Sequence, residues 1–205
     1  MTVTISRLYN SQVQARAAVR DLEAAGLAHG DISILVSNAD SAYDEKTKTF
    51  PDRDLDGKDD RAEGAAAGGG IGAAAGGTVG LLTGLGIMAI PGVGPVVAAG
   101  WLAATLAGAA AGGATGSIIG ALSQQGGLSS DEAEVYAEGL RRGGAVVSAR
   151  VRDEEAAKYQ AVMDRSAVVV ADRAAAYRKS GWTAYSAGAR PYTPEEVTRE
   201  RSLYR

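Results

Sequence analysis

The sequence contains no cysteine and only one histidine, His29. The lack of cysteine excludes disulfide bonds and thiolate metal centres. His29 falls in a loop before a predicted strand, and no nucleophile–base pair can be assembled around it. Despite 28 glycines, neither the dinucleotide fingerprint nor the phosphate-loop motif occurs. The chain is therefore predicted not to be an enzyme, with no catalytic residue and no evident small-molecule substrate.

Positive charge is also scarce. The formal net charge is −3, and no basic run is longer than Arg141-Arg142. Nucleic acid is excluded as a main partner because binding to its phosphates requires a basic surface. The opening MTVTISRLYN has no apolar secretory core, which predicts a cytoplasmic starting point.

Charged residues are absent altogether from residues 64–130. Every Lys, Arg, Asp and Glu therefore lies in the remainder of the chain. This contrast predicts two kinds of structure, a charged domain and an uncharged insertion.

The charged parts predict a small α+β domain made of residues 1–38 and 143–172. Alternating apolar residues predict strands, and a period near 3.6 predicts helices. The predicted elements are a strand near 2–9, a helix from about Ser11 to Gly26, a strand over 32–36, a strand over 144–151, a helix over about 153–165 and a strand over 167–171. Two βαβ halves predict a ferredoxin-like split βαβ sheet covered by two helices.

Three further segments complete the domain organisation. Residues 39–63 are an acidic linker, and residues 128–142 are a connecting helix with a capping box at Ser129 and Glu132. The C-terminal tail, residues 173–205, is polar and aromatic and includes a helix that starts after Thr193. Because this tail has too few apolar residues for its own core, we expect it to wrap the domain or a neighbouring subunit.

The insertion, residues 64–127, predicts a Gly/Ala-rich α-helical hairpin that turns at 90–95. Small residues recur at every fourth position, so they stack into a groove that lets two helices approach closely. The predicted helix-packing residues are Gly64, Gly68, Gly72, Gly76, Gly80, Gly84, Gly100, Gly108, Gly112, Gly116 and Gly120. Glycine costs about 1 kcal/mol per helix position relative to alanine, so such helices are predicted to be buried.

Large apolar residues are concentrated near the turn of this hairpin. The predicted tip consists of Leu85, Ile87, Met88, Ile90, Pro91, Pro95 and Trp101. Each arm of about 27 residues would be roughly 40 Å long, enough to cross a hydrocarbon core of about 30 Å. Three arrangements follow: the hairpin spans the bilayer, only its tip enters lipid, or hairpins from several copies bundle together. We predict a homo-oligomer at the cytoplasmic membrane with its α/β domain in the cytoplasm; the alternative is a soluble cytoplasmic shell, filament or particle.

An acidic run in the linker matches the calcium-loop pattern. Asp52, Asp54, Asp56 and Glu63 stand at ligand positions, and a glycine follows Asp56 where the loop must turn sharply. The run departs from the pattern at Asp59, where an apolar residue is usual. Two interpretations stay open, a calcium-responsive regulator and a solvated acidic loop. No other cofactor is predicted.

Several stretches together resemble one bacterial family. They are ISRLYNSQVQARAAVRDLEAAGLAHGDISILV, AIPGVGPVVAAGWLAAT, VYAEGLRRGGAVVSARV, SGWTAY and PYTPEEV. The chain resembles the longer, glycine-zipper-containing members of the general stress protein 17M-like (heat-induced stress protein) family. The resemblance implies a ferredoxin-like domain with an inserted hairpin and a role in stress, and it implies no catalytic activity.

Overall fold

The computed structural model describes residues 1–40, 86–111 and 118–204, except for the side chains of 107–111. These residues form a mixed α+β structure around a five-stranded antiparallel sheet. The strands are β1 (Thr2–Tyr9), β2 (Ile32–Ser37), β3 (Gly86–Ile90), β4 (Gly94–Ala99) and β5 (Ala145–Arg152). The helices are α1 (Gln12–Ala24), α2 (Trp101–Ala111), α3 (Ile118–Gln124), α4 (Ser130–Arg141), α5 (Ala156–Met163), α6 (Val170–Lys179) and α7 (Pro194–Ser202).

The strand order in the sheet is β1-β5-β2-β4-β3. Both β1 and β2 pair antiparallel with β5, so they run parallel to each other on either side of it. The three strands predicted for the charged domain are confirmed as β1, β2 and β5. The first predicted helix is confirmed as α1, where the Ser11 side chain accepts from Gln14 N and caps the first turn.

The strand predicted over 167–171 is not formed. Helix α6 begins at Val170, and a single backbone hydrogen bond among the described residues, from Val168 N to Leu8 O at 2.8 Å, joins this segment to β1. The middle of that edge is occupied by another loop. Ser6 Oγ donates to Gly126 O at 2.6 Å, and a Cβ at Gly127 would lie 2.5 Å from Thr4 O. The strand predicted over 167–171 therefore finds no continuous edge of β1 to pair with.

The helical arms predicted on either side of the turn at 90–95 are wrong where they meet it, because residues 86–90 and 94–99 form the β3–β4 hairpin. Its turn is closed by a hydrogen bond from Val93 N to Ile90 O at 3.0 Å, and Gly92 and Gly94 adopt positive φ angles of 73° and 110°. β4 pairs with β2, which places Val97 opposite Val36. β-branched residues such as Val96 and Val97 favour a strand where an existing sheet offers an edge.

Helices cover both faces of the sheet. α1 and α5 pack on one face, and α2, α3 and α4 pack on the other. The second layer buries apolar residues that were expected to need lipid or other copies: Ile90, Val93, Val96, Ala98, Leu102 and Leu106. Burying one leucine or valine side chain fully stabilises the fold by about 1.5–3 kcal/mol. Residues 90–106 therefore belong to the core of their own domain.

The capping signals predicted for the last two parts of the chain, at Ser129 and Thr193, are confirmed, whereas the helix predicted to start at Asp153 begins at Ala156 without a side-chain cap. α4 begins with a complete capping box between Ser129 and Glu132, and α7 begins with one between Thr193 and Glu196. The C-terminal tail packs on its own domain, since Tyr177 and Val197 are fully buried against it.

Candidate interaction surfaces

Most of the predicted helix-packing glycines lie outside the described residues: Gly64, Gly68, Gly72, Gly76, Gly80, Gly84, Gly112 and Gly116. Gly108 lies in α2. Gly100 does not begin a helical row, because it forms the turn between β4 and α2 with φ at 86°. Gly120 lies in α3, and among the described atoms a Cβ there would meet only Gln124 Nε2, at 4.0 Å. The second arm is thus not a continuous zipper from Gly100, while the first arm stays a prediction.

Close packing of glycine occurs instead where α4 crosses β1, at positions that the sequence analysis did not select. A Cβ at Gly139 would lie 2.7 Å from Leu8 Cδ1, and one at Gly144 would lie 2.8 Å from Tyr9 O. The available signal was the isolated Gly139 inside an amphipathic helix, which often marks a close approach. Here the close contact joins a helix to the sheet within one chain.

The predicted tip residues do not form one apolar surface. Leu85 lies outside the described residues. The others are divided among the sheet edge, the turn and the core: Ile87, Met88 and Ile90 in β3, Pro91 in the turn, Pro95 in β4 and Trp101 at the start of α2. The Trp101 ring is half-buried under the Arg150 guanidinium, whose central carbon lies 3.8 Å from the ring centroid. Among the described helices, none combines the length and apolar character needed to cross a bilayer.

The predicted calcium ligands Asp52, Asp54, Asp56 and Glu63 also lie outside the described residues. Within the described part of the chain, no cluster of carboxylates or histidine has the arrangement of a metal site. His29 Nδ1 lies 3.0 Å from Glu23 Oε1, at the end of α1. This contact joins a loop to a helix and brings no nucleophile to the imidazole.

A charged cluster fastens the C-terminal tail to α4. Glu138, whose side chain is only 3% exposed, accepts hydrogen bonds from Arg141 and Arg142 at 2.6–2.7 Å. Arg142 also donates to Glu200 of α7 at 3.2 Å and lies 4.2 Å from the centroid of the Tyr177 ring. Burial opposes the charge on Arg142, but the hydrogen bond and charge of Glu138 raise the pKa of its guanidinium above the usual value. The cluster therefore joins α4 to α7 by paired charges and to α6 by the contact of Arg142 with the Tyr177 ring.

Two more arginines extend this attachment. Arg201 donates to Gly143 O at 2.8 Å and to Asp40 at 2.6 Å, so α7 is tied to the end of α4 and to the segment after β2. Arg190 pairs with Glu196 in the first turn of α7, and this hydrogen bond lowers the pKa of Glu196 to about 2. Since the acids and arginines pair with each other, the cluster serves attachment.

One edge of the sheet, the outer side of β1, is largely covered. A cavity of about 360 Å³ lies beside it, with Arg7, Leu128, Tyr136 and Val168 among the residues in its wall. Tyr136 donates from its hydroxyl to Ser6 O at 3.0 Å, and burial raises the pKa of that phenol above its usual value. Arg7 pairs with Asp164, which adds a charge beside this edge. Such coverage and charge discourage another strand from adding to β1.

The opposite edge, formed by β3, has a different character. Its sequence is GIMAI, without a charged residue, and Gly86, Ile87 and Ala89 are exposed. In the described ranges no strand lies beyond β3. An uncharged, apolar edge is the type at which strands of other chains add most readily.

The described residues thus form an α+β structure whose sheet has a covered edge at β1 and, among those residues, an uncovered edge at β3. Comparison with known proteins identifies no relative, since no family model, curated protein or solved structure matches the chain.

Proposed function

We propose that this chain is a non-enzymatic bacterial stress-related protein that acts by self-association, with residues 64–85 providing glycine-zipper contacts between copies. Its domain is proposed to be a ferredoxin-like variant, in which the order β1-β5-β2 is kept and the fourth strand is replaced by the loop at Gly126–Gly127. The resemblance to general stress proteins supports the stress-related role.

The observation that carries this proposal is the burial of residues 90–106 inside their own domain. Ile90 of the predicted tip and the neighbouring Val96, Val97 and Leu102 are buried there, so these residues are not free to enter lipid. The charge-free residues that lie outside the described part of the chain, 64–85 and 112–117, are mainly glycine and alanine. Rows of such small residues favour close helix–helix contact. Contact between copies therefore accounts for the charge-free segment better than insertion of a tip.

The test is the mass of the full chain, purified without detergent and measured by light scattering after size exclusion. We expect a discrete homo-oligomer. Gly72→Leu and Gly76→Leu should each lower the mass, because a large side chain on the predicted glycine row separates the helices. Ala74→Leu adds a side chain on the opposite side of the same predicted helix and should leave the mass unchanged.

Two results would contradict the proposal. A monomeric wild-type chain would contradict self-association. A mass that none of the three substitutions changes would contradict the glycine zipper. Recovery of the chain only from the detergent-solubilised membrane fraction would instead favour the membrane-inserted alternative.

A further inference from the structure

The backbone of β3 leaves a defined set of hydrogen-bonding groups facing away from the sheet. Ala89 lies opposite Pro95 in the β3–β4 register. Pro95 has no N–H, and its carbonyl accepts from Asn38 N at 2.8 Å on the β2 side. Residue pairs of an antiparallel ladder alternate between hydrogen-bonded and non-hydrogen-bonded. The backbone N–H and C=O of Met88 therefore bond to β4, while those of Ile87 and Ala89 point away from the sheet. The edge therefore presents two N–H and two C=O groups.

These four groups match a second copy of the same strand. If two β3 strands pair antiparallel about a twofold axis at Met88, each Ile87 faces the Ala89 of the other copy. Both of these pairs are then hydrogen-bonded pairs, which exchange two bonds each. Every outward backbone group of β3 is satisfied in this single register.

The side chains fit the same register. Ile87, which is 38% exposed, would pack beside the small Ala89 of the other copy, and Ile90 would lie beside Gly86. The half-buried Met88 would pack on Met88 across the axis. Pairing large residues with small ones avoids steric conflict, and the absence of charge removes repulsion between identical strands.

From this geometry we infer that β3 is a homotypic interface, at which two copies join their sheets into one continuous ten-stranded sheet. The inference deepens the proposed self-association by naming a second contact between copies, but it depends on β3 and not on residues 64–85. The β1 edge does not offer a second copy an alternative strand to pair with, because the loop at 126–128 and the Arg7–Asp164 pair cover it.

The first test is cross-linking through Met88→Cys in the full chain, which has no other cysteine. Opposed residues of a non-hydrogen-bonded pair have Cα atoms about 4.5 Å apart, within the range that a disulfide spans. We expect a covalent dimer to be the main species on a non-reducing gel after mild oxidation. Ala24→Cys, at an exposed position of α1, should remain largely monomeric under the same conditions.

The second test is Ala89→Pro. Proline is accepted on the solvent side of an edge strand but removes one outward N–H. We expect the helix and strand signal in circular dichroism to be kept and the oligomer mass to fall twofold, whereas Ala89→Ser, which keeps the N–H, should retain the wild-type mass. Gly72→Leu should leave the Met88→Cys cross-link intact, so a failure of the zipper is distinguishable from a failure of this interface.

Two outcomes would overturn the inference. One is Met88→Cys that cross-links no more than Ala24→Cys, which is also the result expected if a segment of the same chain covers β3. The other is an oligomer mass that Ala89→Pro does not change.

Discussion

Replacing Glu138 by glutamine should weaken the attachment of the C-terminal tail. Glu138 is the acid on which Arg141 and Arg142 converge, and the side chains of Glu138 and Arg142 are only 3% and 6% exposed. Glutamine keeps the shape of the side chain but leaves a buried guanidinium beside a neutral group. Removing one partner of a buried ion pair typically costs about 3–5 kcal/mol. Because glutamine keeps one acceptor, we expect a cost near the lower end, about 3 kcal/mol.

The assay is thermal and urea unfolding of the full chain. For a chain of this length, about 3 kcal/mol corresponds to a fall in Tm of roughly 6–12 °C. The matched control is Glu154→Gln, which removes the same charge from an exposed pair with Arg152, where the side chains are 72% and 66% exposed. Exposed pairs contribute about 0–1 kcal/mol, so the control should move Tm very little.

A second measurement connects the loss to the tail. If Glu138 holds α7 through Arg142 and Glu200, limited proteolysis should cut Glu138→Gln near residues 180–193 faster than the control. Equal shifts in Tm for the two variants, or equal rates of cleavage, would refute the argument that this buried cluster fastens the tail.

Three further predictions concern packing and ionisation. Gly139→Ala should destabilise the fold by about 1–2 kcal/mol, because overpacking against β1 outweighs the better helix propensity of alanine. At Gly120, which has room for a Cβ among the described atoms, the same change should stabilise the fold by about 0.5–1 kcal/mol. Urea titration measures both changes in the free energy of unfolding. Burial raises the pKa of Tyr136, whereas an unfolded tyrosine ionises near pH 10, so stability should be lost as the pH rises above about 10, and Tyr136→Phe should reduce the slope of the urea midpoint between pH 9 and 11. The pKa of Glu196 is lowered to about 2 by Arg190, so its contribution is present above about pH 4.5 and is lost as the pH falls towards 2; an unfolding midpoint of Glu196→Gln that is as acid-sensitive as the wild type would contradict this.

Local signals predicted well where one element is determined by its own residues. Ser11, Ser129 and Thr193 cap their helices as the sequence indicates, because an N-cap bond joins residues only three positions apart. The alternation of apolar residues likewise identified β1, β2 and β5, whose two faces contact different helical layers. These features require no knowledge of distant parts of the chain.

The errors fall where two distant segments compete for one place. Residues 167–171 have strand composition, yet Gly126 and its neighbours lie against β1 where they would pair. Residues 86–89 and 96–99 were predicted as the helical ends of the two arms beside the turn, yet β2 offers β4 an edge at which Val96 and Val97 become fully buried. Composition cannot decide such competition, since its outcome depends on which edge of the sheet is free.

The sequence by itself determined the α+β class and the starts of several helices, because the alternation of apolar residues and helix capping act locally. Only the tertiary structure decided that part of the insertion belongs to the sheet and that Arg142, paired with Glu138, contacts Glu200 of α7 and Tyr177 of α6. The physical reason is that burial of an apolar strand, like the hydrogen bond from Arg142 to Glu200, depends on partners that lie tens of residues away in the sequence. The tertiary structure also decided the contrast between the covered β1 edge and the β3 edge that no described strand covers, because the strand order determines which strands are edges.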